Sequence, residues 1–465
     1  MIRKTAIVYD DKRKPGKDIA AITGGKSFGQ TIYKRRTLRD RMADLFADIP
    51  GVSGFYDAGD KEIAEFKDTS VILYFSDFGV AKIKDVETIV YKAGYAHENY
   101  KITQAHRIAC VIFPSAEAYL HAQPADFDKY TEIVSSAFTD LSDPSNFRSF
   151  ITGGFDARFF NDLSGDEYTV GKSTSKKEKI KAEYEFYSLL PDDMKQWFVR
   201  PFDYKEDEGS ASYSMQRYHM TDLAIRYVHS SITYDEFRDI LRSLLHFLFR
   251  RKSETVTAAE YEEQAKKLYV TKVYDRIRQL KETDGYDRLA ALIAALTDYK
   301  DIDEIVKRYV DMYELMRTGM SPAPVKAVSH GDLCFSNILY SNPDSFMVLI
   351  DPKGAMTEED LYMDPYYDYA KLSHSICGHY DYFNSDLYEI TVDENMKARV
   401  KVDADNRVFM DMFAQSLSAA GIDIRLIRLY EASLFLSMLP LHMDRPRKVF
   451  GFVLNAIAIL DSLEK

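Results

Sequence analysis

Asp332 and Asn337 stand five positions apart in Ser329-His330-Gly331-Asp332-Leu333-Cys334-Phe335-Ser336-Asn337, and a further carboxylate follows at Asp351. A carboxylate held near a substrate hydroxyl can take its proton. An amide oxygen and a second carboxylate are hard ligands of the kind magnesium takes, with phosphates and water completing its shell. The three residues suit phosphoryl transfer, with Asp332 as base and Asn337 and Asp351 on the metal. Between them, Asn337-Ile-Leu-Tyr, a Ser341-Asn-Pro-Asp-Ser turn and Phe346-Met-Val-Leu-Ile read as a hairpin. Its strands would bring Asn337 and Asp351 side by side, one at the mouth of each.

His330-Gly-Asp-x-x-x-x-Asn337, followed by Ile350-Asp351-Pro-Lys-Gly, resembles the aminoglycoside phosphotransferase and choline kinase-like superfamily, relatives of protein kinases. The resemblance implies a bilobal α+β protein kinase-like domain with a mostly helical C-lobe, ATP and Mg2+ as cofactors, and a small-molecule hydroxyl as acceptor. It assigns the catalytic base to Asp332 and the metal to Asn337 and Asp351. His330 would support the loop, and Asp368, last residue of Asp364-Pro-x-x-Asp368, would brace it. The N-lobe should offer a lysine on a strand and a glutamate on the next helix. Lys172, closing Tyr168-Thr-Val-Gly-Lys, and Glu183 fill those places, with Glu185 as the alternative glutamate. Ser164 and Gly165, in the expected turn Asn161-Asp-Leu-Ser-Gly165, stand where a phosphate-covering loop belongs. Gln216 and Tyr218 fall on the hinge strand whose backbone would bind adenine.

Two features depart from the family pattern. There is no G-x-G-x-x-G, and the second motif reads Asp-Pro-Lys where choline kinases have Asp-Trp. Asp364, Tyr366 and Tyr367 suggest a substrate pocket for a cation or a polyol, and equally the start of an amphipathic helix. His374-Ser-Ile-Cys377-Gly-His379 lacks zinc-site spacing.

The rest of the chain must position these groups. Its 465 residues call for more than one core. Residues 1–125 read as a small α/β domain, 126–148 as a connector, 149–232 as the kinase N-lobe and 233–465 as the C-lobe. In the first domain, Val71-Ile-Leu-Tyr-Phe and Ile108-Ala-Cys-Val-Ile-Phe read as buried strands. The strand running to Asp77, then Asp85-Val-Glu-Thr-Ile-Val, resembles the middle of sugar nucleotidyltransferases, where a strand ends in a metal-binding Asp. That family's Gly-rich loop with its Arg is not visible, so a degenerate domain without that chemistry is expected. Gly24-Gly-Lys-Ser-Phe-Gly does not match a phosphate-binding loop. Lys26, Lys34, Arg35 and Arg36 could supply the missing charge, or form a solvated face.

The net charge of -12 excludes nucleic acid as a main partner. Three scattered cysteines, Cys110, Cys334 and Cys377, read as a reducing cytoplasm. The N-terminal apolar stretch is too short for a signal peptide, and Ala432 to Met443, broken by Ser437 and Pro440, cannot span a membrane. The expected function is phosphorylation of a sugar or amino alcohol used in surface polysaccharide biosynthesis. The alternatives are an antibiotic phosphotransferase and a nucleotide-binding pseudokinase scaffold.

Overall fold

The structure, a computed structural model, describes residues 3–33, 36–153, 162–165, 168–320, 322–341 and 345–464. The chain divides into two compact units. One comprises Met1–Asp156 with Ile225–Ser231, the other Ala157–Ala224 with Ile232–Lys465.

The first unit is built on a six-stranded sheet of β1 (Lys4–Asp10), β2 (Val52–Asp57), β3 (Thr69–Phe75), β4 (Tyr100–Gln104), β5 (Arg107–Phe113) and β6 (Thr131–Val134), in the order β2-β1-β3-β5-β4-β6. β1 pairs parallel with β2 and β3, whereas β5 runs antiparallel to β3. β1 and β3 are continuous apolar runs because helices cover the sheet: Ile7, Val8, Val71 and Ile72 are buried with Ile19, Met42, Val86 and Val90. The segment expected as a connector adds to this unit. Thr131–Val134 is the edge strand β6, paired parallel with β4, and Phe138, Phe147 and Ile151 enter the core. Pairing with an existing strand edge satisfies backbone groups that a free linker would leave to water.

At the end of β3, Asp77 is buried and receives Arg13 Nη1 at 3.0 Å and Arg107 Nη2 at 2.5 Å. Both of its oxygens are thus held by arginines, which leaves the carboxylate little capacity for a metal. Lys26 donates to the His229 carbonyl at 2.8 Å and Arg36 pairs with Asp44. Lys34 and Arg35 lie outside the described residues.

The second unit opens with the antiparallel strands β7 (Asp162–Gly165), β8 (Thr169–Thr174), β9 (Pro201–Glu206) and β10 (Ala211–Gln216), ordered β7-β8-β10-β9. This corrects the turn expected over 161–165. Asp162 to Gly165 pair with Ser173 to Val170, so these residues continue as a strand. Ala157-Arg-Phe-Phe160, whose residues read as a strand before that turn, lies outside the described residues. The helix Lys177–Leu189 buries Ile180, Glu183 and Phe186 against this sheet and stops before Pro191, whose ring cannot continue it.

Below it lies a mostly helical part. Thr257 caps the helix Ala258–Lys266 by accepting from Glu260 N, as the spacing predicts. Glu260 does not return the bond. Its carboxylate goes to the buried Lys326 at 2.6 Å, because an unpaired buried ammonium would cost far more than one uncapped amide. The hairpin forms as expected from β11 (Ile338–Ser341) and β12 (Phe346–Leu349), in register Ile338↔Leu349. No helix among the described residues is long and apolar enough to cross a membrane.

Candidate active site

The hairpin register decides the first part of the site. Ile350 N donates to Asn337 O at 3.0 Å, so the residues at the two strand mouths are neighbours. Asn337 Nδ2 donates to the Asp332 carbonyl at 2.7 Å. That fixes the amide orientation and leaves its Oδ1 as the atom able to bind a cation. Asp351 adopts φ +55°, a conformation that costs a non-glycine residue roughly 1 kcal/mol or more and persists where surrounding contacts impose it. Those contacts follow at once. Lys353 N donates to His330 O at 2.8 Å, and Ala355 N to Ala182 O at 2.9 Å. Gly354 lies at φ +92°, and a Cβ there would sit 2.9 Å from the backbone of the Lys177–Leu189 helix.

The same helix supplies Glu183. Lys172 Nζ lies 2.6 Å from Glu183 Oε2 and 2.9 Å from Asp351 Oδ1. Lys172 is 3% exposed and Glu183 5%. Burial pulls against the charged form of Lys172, yet Asp351, Tyr213 and Glu183 outweigh it and raise the ammonium above its ordinary range. Of the two candidate glutamates, Glu183 takes the lysine, and Glu185 turns to Ser188. The Tyr213 hydroxyl adds a bond to Glu183 at 3.3 Å.

The Asp332 loop is held from beneath. Asp368, fully buried, accepts from His330 N at 3.0 Å, Gly331 N at 2.9 Å and Arg251 Nη1 at 2.8 Å. Gly331 needs its φ of +75°, and a Cβ there would strike Lys353 Cβ at 2.6 Å. His330 Nδ1 accepts from Asp332 N at 3.2 Å, so Nε2 carries the proton donated to Ile350 O at 2.9 Å. Burial lowers the His330 pKa, in keeping with a neutral ring that ties the loop to β12. The Asp332 carboxylate meets Lys371 Nζ at 2.8 Å.

Other expected residues fall around this centre or away from it. Gln216 ends β10, exposed, and Tyr218 follows half-buried, its ring 6.1 Å from Phe346. Between the β7–β10 sheet and the hairpin, Val170, Met215, Leu339, Val348 and Ile350 share one apolar cluster with Tyr218, a surface suited to a flat aromatic base. Ser164 and Gly165 lie on β7, where only the backbone is described. Asp364 and Tyr367 belong to the helical core. Asp364 is 3% exposed, and burial pushes its carboxyl up to about 6. The cation over the neighbouring rings is the chain's own Arg317, 4.7 Å from the centre of Tyr261. Tyr366 is half-buried beside them. His374 is buried between Tyr380 and Phe435. Among the described residues no group of three or more His, Cys, Asp or Glu is placed to hold a metal ion.

Arg251, Lys371 and Tyr213 belong to the site's support and were not visible in the motifs. A buried arginine at the end of an amphipathic helix, Tyr234–Arg250, was the one available hint for Arg251.

No family model matches the chain, and no curated protein matches it. Solved structures similar to the chain include aminoglycoside phosphotransferases. A thermostable mutant of aminoglycoside phosphotransferase APH(4)-Ia, in ternary complex with AMP-PNP and hygromycin B, is 13% identical with TM-score 0.38, over 68% of this chain and 97% of that one. Aminoglycoside phosphotransferase APH(3'')-Id from Streptomyces rimosus ATCC10970, in complex with ADP and streptomycin, is 14% identical with TM-score 0.36, over 63% and 97%. The aminoglycoside-3'-phosphotransferase of type VIII is 14% identical with TM-score 0.34, over 60% and 93%.

Proposed function

We propose that the second unit is an ATP- and magnesium-dependent kinase that phosphorylates a hydroxyl of a small molecule, a sugar or an amino alcohol. The observation that carries this is the junction at Asp351. One carboxylate, paired with the buried Lys172–Glu183 couple, lies beside Asn337, whose amide is tied to the Asp332 loop. A mere surface pair would not bury a lysine and a glutamate together.

Each residue has a role in this reading. Lys172 neutralises phosphate oxygens and Glu183 holds it in place. Asn337 Oδ1 and the Asp351 carboxylate fit magnesium, being neighbouring hard oxygen donors. When bound, magnesium would spread charge from the β- and γ-phosphate oxygens. Asp332 accepts the acceptor's hydroxyl proton. The acceptor oxygen bonds to the γ-phosphorus, the bond to the bridging oxygen breaks, and its electron pair leaves with ADP. Val170, Leu339 and Ile350 would sandwich the adenine, with the Gln216–Tyr218 backbone along its edge.

The test is a screen of hydroxylated metabolites for ADP formation by the full chain, run with Asn337→Ala and Asp351→Asn alongside. Each variant is expected to weaken magnesium-dependent ATP binding by more than the roughly 10- to 100-fold that loss of an outer-shell partner costs. Binding measured without magnesium should change little. Equal affinity with and without the metal in the wild-type protein would sink this reading.

The first unit, in this proposal, carries out no nucleotidyl transfer. Asp77 is neutralised by Arg13 and Arg107, and Lys26 is spent on a backbone carbonyl. The full chain, incubated with each nucleoside triphosphate and a panel of sugar phosphates, should release no pyrophosphate. Release that Asp77→Asn abolishes would make the protein bifunctional.

A further inference from the structure

We propose that Lys371 is a positioning residue of the phosphoryl-transfer site, fixing the Asp332 carboxylate and placing a positive charge behind it; this rests on the kinase reading above. Lys371 follows Asp368 by three residues on the helix Tyr366–Ile376, so both project from one face. Asp368 holds the backbone of His330 and Gly331, while Lys371 reaches the side chain of Asp332 at 2.8 Å. A single rigid helix therefore sets both the loop and the orientation of its working carboxylate.

The surroundings single this pair out. The Lys371 side chain is 14% exposed against 38% for Asp332, so the ammonium lies behind the carboxylate rather than between it and solvent. Among the described residues Asp332 is the one carboxylate within 4 Å of Lys371. Cys334 lies near as a neutral thiol, its pKa pushed up to about 12 by burial and then by Asp332. The Tyr367 ring centre is 5.9 Å from Lys371 Nζ, and its hydroxyl accepts from Lys272 at 2.9 Å. His374, one turn further on, is kept neutral by burial and by Lys371.

An ammonium is poorly chosen for packing alone, since a methionine would fill similar space without a charge to desolvate. Its value appears during the reaction. The ion pair, made through Oδ1, fixes the rotation of the carboxylate that takes the acceptor's proton. As the proton arrives on Asp332, that carboxylate loses its charge, and Lys371 is left uncompensated beside the reacting groups. Its attraction for the phosphoryl oxygens is then larger in the transition state than before it, the condition for raising kcat.

The experiment uses the full chain and measures ADP formation from Mg-ATP, with water as acceptor and with any acceptor found in the screen. Lys371→Met should lower kcat by about 100-fold. The KM for Mg-ATP should stay within about threefold, because the lysine does not touch the nucleotide. Lys371→Arg should recover kcat to within about tenfold of wild type, since it keeps the charge. In an Asp332→Asn background, Lys371→Met should change the residual rate by less than about threefold, because the two act as a unit. Lys371→Gln serves in place of Lys371→Met if the latter does not fold. An active wild-type protein with unchanged kcat in Lys371→Met, or equal losses in both backgrounds, overturns the role of Lys371 alone. A wild-type protein that makes no ADP from Mg-ATP overturns the kinase reading, and the role of Lys371 with it.

Discussion

Asp332→Asn is expected to lower turnover by about 10²–10⁴-fold, the range for loss of a positioned base, while Mg-ATP binding stays near that of the wild type. The substitution is nearly isosteric, and the loop does not depend on this side chain. Its backbone is held by Asp368 through His330 N and Gly331 N, by Lys353 N on the His330 carbonyl, and by Asn337 Nδ2 on the Asp332 carbonyl. The loss should therefore fall on kcat and kcat/KM alike, the mark of an interaction made only in the transition state. Steady-state kinetics with the acceptor identified by screening, together with calorimetric titration of Mg-ATP, checks both halves. Turnover within about threefold of wild type would remove Asp332 from the chemistry.

Lys172→Met should have two separable effects. Breaking a buried ion pair by removing one partner costs about 3–5 kcal/mol. Both side chains here are 3% exposed, so water does little to screen the charge left behind. Among the described residues Glu183 would keep the Tyr213 hydroxyl at 3.3 Å and the exposed Lys179 at 3.5 Å. The melting temperature should accordingly fall by several degrees or more. Activity should fall further than stability explains, because the γ-phosphoryl loses a cation held within 2.9 Å of Asp351. The double variant Lys172→Met, Glu183→Met separates the two effects. With both charges gone the unit should regain much of its stability, yet ADP formation should remain at the level of Lys172→Met. The same change at the exposed Lys176 should do little to either. A double variant that regains activity would show that the ion pair serves folding alone.

The motifs were legible because their geometry is local. Asp332 to Asn337 is one loop, and Asp351 is reached through a single hairpin whose strands alternate in the ordinary way, so the adjacency of Asn337 and Asp351 follows from register. Lys172 and Glu183 were legible for a related reason. The strand places one and the following helix the other, with only two residues between the elements. Asn161-Asp-Leu-Ser-Gly165 has turn residues, but pairing with β8 prevailed over their preference and drew Asp162–Gly165 into a strand. Residues 126–148 have the composition of a linker, yet the open edge at β4 takes Thr131–Val134 as a strand.

The sequence by itself determined that a carboxylate, an amide and a second carboxylate meet at one hairpin mouth, and that a lysine and a glutamate stand on the strand and helix before it. The tertiary structure alone decided what holds them. Arg251 comes from the end of a helix 81 positions before Asp332, Lys371 from a helix 39 positions after it, and Asp368 joins the loop only once that second helix is packed beneath it. It also decided that Arg13 and Arg107 close on Asp77, and that Arg317 fills the tyrosine-rich surroundings of Asp364. The physical reason is common to all of these. Backbone register acts over a few residues and can be read along the chain, whereas a buried charge takes as its partner whichever opposite charge the packed core brings within reach.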